Sequence, residues 1–126
     1  TAQEIERLVG IIESEGARSS VSSVHAHAQP GDWDKARGIE RAAREALGMN
    51  VAEQRDRWLF IGDSGNDAAA FTYFPVSVGV ANVARYLSKL PTAPAFVTEG
   101  DRGRGFAEMA QHVLAARRRA DPGDVP

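Results

Sequence analysis

The sequence predicts an α/β fold: a Rossmann-like parallel sheet with flanking helices and an incomplete core. From residue 35 onward, helical patterns alternate with apolar strands, which is typical of layered folds with parallel strands. The run Trp58–Ile61 is apolar throughout, as expected of a strand buried on both faces. Doubly wound sheets usually have about five or more strands. Because only three are predicted after the break at Pro30-Gly31, we expect part of the core to be missing.

Composition excludes several functional classes. The 126 residues carry 17 acidic and 15 basic side chains, so no electrostatic footprint for nucleic acid is present and no such partner is expected. The absence of cysteine excludes disulfides, thiolate metal sites and a cysteine nucleophile, and it fits the cytoplasm. No apolar run approaches the roughly 20 residues of a membrane span, and no signal peptide is visible. Because the sequence lacks an initiator Met, we expect that it does not begin where its gene does.

The first 30 residues form a part of their own. Four apolar residues recur at the spacing of one helix face: Ile5, Leu8, Val9 and Ile12. They predict an amphipathic helix over about residues 3–14, ended near Gly16. Residues 21–27 predict a single strand, and the breaker-rich residues 30–32 follow as a linker.

Helices and strands alternate after this linker. The predicted elements are a helix over 35–47, a strand over 58–61, a tight loop over 62–66, a helix opening at 67–71, a strand over 76–80, a short helix over 83–90, a strand over 95–98, a glycine-broken loop over 100–105 and a last helix over 106–114. The polar tail is expected to fray. We therefore divide the chain into residues 1–30, a core part over 31–116 and a disordered tail over 117–126.

Two carboxylates follow the apolar strand 58–61, in the run Gly-Asp-Ser-Gly-Asn-Asp over 62–67. Ligands of open α/β sheets bind at the carboxyl ends of strands. Asp63 at the strand tip and Asp67 at the helix start can direct oxygens at one point, which suits Mg²⁺. The backbone N–H groups of the turn favour an anion. The alternative is structural: Asp67 caps the helix and Asp63 is a turn residue.

The run Phe-Ile-Gly-Asp-Ser-Gly-Asn-Asp over 60–67 resembles the fourth motif of haloacid dehalogenase-superfamily phosphatases. The branch it resembles has a large α/β cap (subfamily IIB, the Cof-like sugar phosphatases). Lys35, at a helix start after a Pro-Gly linker, lies where the third-motif lysine of that family belongs. Further stretches that resemble the family lie downstream, at 77–82 (Ser-Val-Gly-Val-Ala-Asn), 96–98 and 103–106. The resemblance covers about residues 20–114.

This resemblance implies Mg²⁺-dependent hydrolysis of a phosphomonoester, a phosphorylated sugar or a similar small metabolite. It assigns the metal to Asp63, with Asp67 holding the ion or its waters from a second position. Lys35 neutralises the nucleophile and the phosphoryl oxygens, a point-charge role that suits lysine. Ser64 and Asn66 would orient the lysine or the phosphate. Asn82 would line the site from the neighbouring loop.

The family's nucleophile, in an Asp-x-Asp motif after an N-terminal strand, is not found, and neither is its second-motif Ser or Thr. Asp32-Trp-Asp34 has the Asp-x-Asp spacing, but no apolar strand precedes it, so we interpret it as linker. The chain therefore resembles a C-terminal portion, in which residues 1–30 are the last helix and strand of the cap. By itself it is expected to be inactive. It is expected to associate with the missing N-terminal half, or with itself through an exposed sheet edge.

Two histidines lie in the predicted strand 21–27. His25 and His27 would share one face, where they would contact substrate, bind a metal or form plain surface. A zinc site would lack ligands, because His112 is the only other histidine. Arg102 and Arg104 lie beside glycines, where they would contact an anion or be solvated loop charges, and the second is the expectation. Arg117–Arg119 at the last helix end are expected to be solvated.

Two other functional classes share part of this motif. Gly62-Asp63-Ser64 also occurs in trypsin-like proteases and in Gly-Asp-Ser lipases. The helix after Asn66 contradicts the all-β protease fold, and the lipases carry a late Asp-x-x-His that this sequence lacks. The alternative that stays open is a non-catalytic phosphate- or metal-binding half-domain, which assembles with a missing segment or a partner chain.

Overall fold

The computed structural model describes residues 1–22 and 24–120. Its helices are α1 (Ala2–Ser14), α2 (Lys35–Leu47), α3 (Ala68–Tyr73) and α4 (Arg102–Ala120). Its strands are β1 (Arg18–Val21), β2 (Ala26–Gln29), β3 (Leu59–Gly62), β4 (Val76–Gly79) and β5 (Phe96–Val97). Among these helices, none is long and apolar enough to cross a membrane.

A three-stranded parallel sheet with the strand order β3-β4-β5 forms the centre of the fold. Leu59 pairs with Val76 and Gly62 with Gly79, so β3 and β4 end level with each other. The backbone N–H of Val80 donates to the Gly62 carbonyl at 3.0 Å, which extends the alignment beyond the last strand residue. The predicted α/β class with a parallel, Rossmann-like sheet is confirmed. The level strand ends bring the loops after β3 and β4 together.

Helices α2 and α3 cover one face of this sheet. The core between them contains buried apolar residues on both helices and on the 3₁₀ turn after α2: Ala43, Val51, Ala70 and Phe74. Phe60 of β3 stacks on Phe74 and meets Phe71 edge-on, with ring centroids 5.9 Å and 5.4 Å apart. Such aromatic pairs stabilise by about 0.5–1.5 kcal/mol beyond area burial. Helix α2 ends as predicted, since Gly48 adopts the left-handed conformation (φ 64°) that suits a helix stop.

The opposite face of the sheet is largely open. Leu59 is 37% exposed and Phe96 is 64% exposed. A cavity of about 390 Å³ with mainly apolar walls lies between this face and α4, and it is lined by residues of both, including Val78, Met109 and Val113. Burial of 58–61 on both faces was therefore a wrong prediction. The reason is that a cavity separates this face from α4, so Leu59 is not covered there. β3 is also an edge strand, and no other strand of the described residues pairs with its free side.

Strands β1 and β2 form an antiparallel pair, where the sequence predicted a single strand over 21–27. Strands β1 and β2 pair with Arg18 opposite Gln29 and Val21 opposite Ala26. Ser22 holds the chain reversal, because its hydroxyl accepts hydrogen bonds from the backbone N–H groups of Val24 and His25 at 3.2 and 2.9 Å. Serine side chains that bond nearby backbone in this way compete with extended structure.

Two further predictions about the C-terminal part need correction. The region predicted as a short helix over 83–90 forms two 3₁₀ turns, Ala81–Arg85 and Leu87–Lys89. The glycine-broken loop is shorter than predicted, since α4 already begins at Arg102. Gly105 lies inside α4. A Cβ at this position would clash with the Gly100 carbonyl oxygen, so glycine permits the close packing of the loop on the helix. Residues 117–120 of the expected tail are helical, and 121–126 lie outside the described residues.

Candidate functional site

The candidate site lies at the edge of the sheet where β3 and β4 end. Asp63 directly follows β3, and Asn82 lies three residues after β4. The Asn82 amide donates from Nδ2 to Asp63 Oδ2 at 2.9 Å. The parallel register explains this contact, because the carboxyl ends of paired parallel strands share one edge. The structure thus places Asn82 beside Asp63, whereas the resemblance implied only that Asn82 lines the site.

Asp67 anchors the loop after β3. It is only 2% exposed, and its Oδ2 accepts from the backbone N–H groups of Asp63 and Ser64 at 2.8 and 3.1 Å. The carboxylate also packs against Gly62, where a Cβ would lie 2.6 Å from that same oxygen. Glycine is therefore required at 62 by close approach, and the loop is shaped around the Asp67 carboxylate.

Lys35 reaches this loop from the first residue of α2. Asp34 caps that helix by accepting from the Arg37 backbone N–H at 2.9 Å. The Lys35 ammonium donates to Asp67 Oδ1 and, at 3.2 Å, to Asn66 Oδ1. Its side chain is 46% exposed, so it retains an open side toward solvent. One cation is therefore held in place by the loop while it remains able to meet a ligand.

Ser64 and Asn66 complete the support of the lysine. The Ser64 hydroxyl donates to Asn66 Oδ1 at 2.7 Å, so the amide oxygen that accepts from Lys35 is itself fixed. Ser64 is buried, which places it behind Asn66 rather than at the surface of a ligand site. Of the two orientation roles that the resemblance implied for this pair, the geometry supports the one toward lysine.

The two carboxylates differ in what they can offer a metal. Both oxygens of Asp67 are engaged, by Lys35 and by the loop backbone. Asp63 accepts one hydrogen bond through Oδ2 and lines an open cavity. Within residues 1–22 and 24–120, no group of three or more His, Cys, Asp or Glu side chains could hold a metal. Mg²⁺ commonly uses one or two carboxylates plus waters and a phosphate, so Asp63 suits one ligand position of such a site.

The open cavity beside Asp63 has a volume of about 270 Å³. Two cationic and two anionic side chains line it, together with apolar residues from β3, Val80 and α4: Lys35, Arg102, Asp63 and Asp67 are the charged ones. The sequence left two roles for Arg102, anion contact or a solvated loop charge, and in the structure this residue is exposed and lines the cavity. Only tertiary structure reveals this position, because it depends on where α4 begins.

A second cavity of about 270 Å³ lies on the other side of Lys35. His27 lines it, together with Asn66 and with three residues that the sequence did not single out: Arg18, Gln29 and Trp33. The rings of His25 and His27 lie 5.8 Å apart, but His25 is not among the lining residues. No sequence signal pointed to Arg18 or Gln29, since the hairpin that carries them was not predicted.

The Asp-x-Asp sequence before Lys35 has partners of its own. Asp34 is the cap of α2, and Asp32 forms ion pairs of 2.9 Å with Arg18 and Arg37. The hydrogen bond from Arg37 to Asp32 raises the pKa of that guanidinium. These contacts agree with the interpretation of residues 32–34 as linker.

The chain is thus an α/β protein with four charged side chains around a cavity where its parallel strands β3 and β4 end. The crystal structure of Thermoplasma acidophilum protein 0175 is similar to it, with a TM-score of 0.61 and 23% sequence identity. The match covers 89% of this chain and 46% of that one, so the chain spans less than half the length of its structural neighbour. This similarity shows the fold. No protein-family profile matches the chain, and no curated protein matches it.

Proposed function

We propose that this chain is the C-terminal part of a Mg²⁺-dependent phosphomonoester hydrolase of the haloacid dehalogenase type. The expected substrate is a phosphorylated sugar or a similar small metabolite. The observation that carries the proposal is the network at the end of β3. It holds a lysine from 32 residues upstream against Asp67 and leaves Asp63 facing a cavity. The residues are those that the resemblance to the family had assigned.

The proposed mechanism follows from the contacts of these side chains. Lys35 places a positive charge beside the cavity, where it binds phosphoryl oxygens and stabilises the charge that develops on them. Asp67 fixes the position of that charge, and Asn82 orients the carboxylate of Asp63. Asp63 would hold Mg²⁺, which when bound supplies Lewis-acid polarisation of the phosphoryl group.

The attacking group would come from a segment outside this chain. Within the described residues, Asp32 and Asp34 are committed to an ion-pair cluster and a helix cap, and Asp67 is buried by the loop. Asp63 is needed for the metal. The proposed enzyme is therefore complete only when a further segment supplies a nucleophile beside Asp63.

The test is release of phosphate from 4-nitrophenyl phosphate in Mg²⁺. We expect no release by this chain alone, and release by a longer protein that adds the upstream residues. In the longer protein, Asp63→Asn should abolish turnover. Asp56→Asn, which changes an exposed carboxylate in the 3₁₀ turn before β3, should leave it unchanged. Lack of turnover by every form contradicts the proposal. Turnover by this chain alone that Asp34→Asn abolishes would make the linker carboxylate the nucleophile.

A non-catalytic half-domain that assembles with another segment or chain is the second candidate. The observation in its favour is the open apolar face beside α4, together with the free edge of β3. It differs from the first candidate in one outcome: the assembled protein would bind phosphate or Mg²⁺ and release no product.

A further inference from the structure

We propose that Arg102 is a second cationic ligand for the phosphate-like dianion at this site. The inference rests on the proposed function and adds a residue to it. Arg102 lies at the start of α4 and lines the same cavity as Lys35 and Asp63. A planar guanidinium can donate two parallel hydrogen bonds to a tetrahedral oxyanion, which an ammonium group does not do.

Asn82 connects Arg102 to Asp63 through two hydrogen bonds. The backbone N–H of Arg102 donates to Asn82 Oδ1 at 3.1 Å, while Nδ2 of the same amide donates to Asp63 Oδ2 at 2.9 Å. Asn82 therefore spans the distance between the carboxylate and the start of α4. The backbone of Arg102 therefore has a defined place relative to the proposed metal ligand.

The charge of Arg102 is not used within the fold. Within residues 1–22 and 24–120 it forms no ion pair, whereas Arg104 pairs with Asp101 at 2.7 Å. Lys35 is already paired with Asp67. The two cations and two anions of the cavity cancel formally, and a bound Mg²⁺ would leave two positive charges. A phosphate monoester dianion carries the complementary charge, and Arg102 is the cation free to approach it.

The backbone of Arg102 is also held in an uncommon conformation. Its φ is 48°, in the left-handed region that side chains other than glycine and asparagine rarely adopt. The hydrogen bond to Asn82 holds the residue there. Asparagine tolerates this conformation and carries no charge, so Arg102→Asn removes the cation without adding backbone strain.

The test compares two arginines of the same helical turn. Orthophosphate binding in Mg²⁺ is measured by calorimetry on this chain and, in the longer protein, as competitive inhibition of aryl phosphate hydrolysis. Circular dichroism and melting temperature establish that each variant folds. A charge-assisted hydrogen bond contributes about 1.5–3 kcal/mol, so Arg102→Asn should weaken phosphate binding about tenfold to a hundredfold. Arg104→Asn should change it less than about twofold, since surface pairs contribute little.

The outcomes separate this inference from the proposed function. Equal phosphate affinity of the folded Arg102→Asn variant and the wild type overturns the inference, and so does failure of the wild type to bind millimolar phosphate. If the longer protein hydrolyses the aryl phosphate and phosphate inhibits the wild type and Arg102→Asn equally, the phosphatase proposal stands and the role of Arg102 is refuted. Binding that depends on Arg102 in a protein without hydrolysis supports the arginine and refutes the phosphatase.

Discussion

Lys35 and Asp67, 32 residues apart in the sequence, form an ion pair that joins the start of α2 to the loop after β3. The carboxylate is buried and the lysine side chain is about half exposed. The pair therefore has two consequences: it holds the loop in shape from within, and it presents a positive charge to the cavity outside. The predictions below separate these structural and chemical roles.

Neutralising Asp67 should destabilise the fold more than neutralising Asp63. Asp67→Asn replaces one carboxylate oxygen by an amide NH₂ group, which either faces Lys35 or disrupts the contacts with the loop backbone. We expect the free energy of unfolding to fall by about 2 kcal/mol. Asp63 is less buried and accepts only from Asn82, so Asp63→Asn should cost less than about 1 kcal/mol. Urea unfolding of both variants measures the difference. Equal losses would show that the loop does not depend on the Asp67 carboxylate.

Gly62→Ala should destabilise the protein through a direct clash. The new Cβ would lie 2.6 Å from Asp67 Oδ2 and 2.7 Å from its Cγ, so the loop must shift, at a cost of about 1–3 kcal/mol. Gly38→Ala in α2 is the matched control. Nothing lies within 4 Å of a Cβ there, and the change should stabilise by about 0.5–1 kcal/mol. Melting temperatures that move in the same direction for both variants would contradict the close packing at Gly62.

Glu108 makes part of the stability dependent on pH. Its carboxylate accepts from the backbone N–H groups of Gly100 and Glu99, at 2.9 and 3.1 Å, and these bonds lower the pKa of Glu108 below its ordinary value of 4.5. A lowered folded-state pKa contributes stability that is fully present above pH 4.5 and is lost as the pH falls through the lowered value.

Denaturant unfolding from pH 3 to pH 7 tests this dependence in Glu108→Gln, which lacks the charge. The stability difference from wild type should be largest at neutral pH and should shrink as the solution is acidified. A difference that stays constant with pH would show that the Glu108 charge does not hold the loop that leads into α4.

Association should depend on the open face beside β3. A free strand edge has unpaired backbone groups, and its exposed apolar side chains favour association. We therefore expect this chain to self-associate at high concentration. Leu59→Lys places a charge on that strand and should shift the chain toward monomer. Leu47→Lys is the control, because Leu47 is 64% exposed at the end of α2. Light scattering coupled to size exclusion measures the mass. A well-folded wild-type monomer at all concentrations would contradict the prediction.

Local interactions explain why much of the fold was predictable from the sequence. Helix α2 has the predicted bounds, since Asp34 caps its first turn and Gly48 ends it with a positive φ. Helix α1 begins one residue before the prediction and ends where predicted. The loop after β3 was predicted because glycine, serine, asparagine and aspartate favour turns and helix starts. Periodicity, capping and turn chemistry act within a few residues, so the sequence by itself determined the α/β class and the loop that carries Asp63 and Asp67. The other candidate residues were expected from the resemblance: Lys35, Ser64, Asn66 and Asn82.

Tertiary contacts decided the remainder. The hairpin of β1 and β2 depends on pairing between strands, and a serine that bonds nearby backbone replaced the extended stretch that composition favoured. The exposure of Leu59 in β3 follows from the gap between the sheet and α4, which no local pattern encodes. Lys35 contacts Asp67, and Arg102 lines the cavity beside Asp63, only because residues distant in the sequence pack together. Local pattern therefore determined most of the helices and the loop after β3, and long-range packing decided which of the candidate residues lie together.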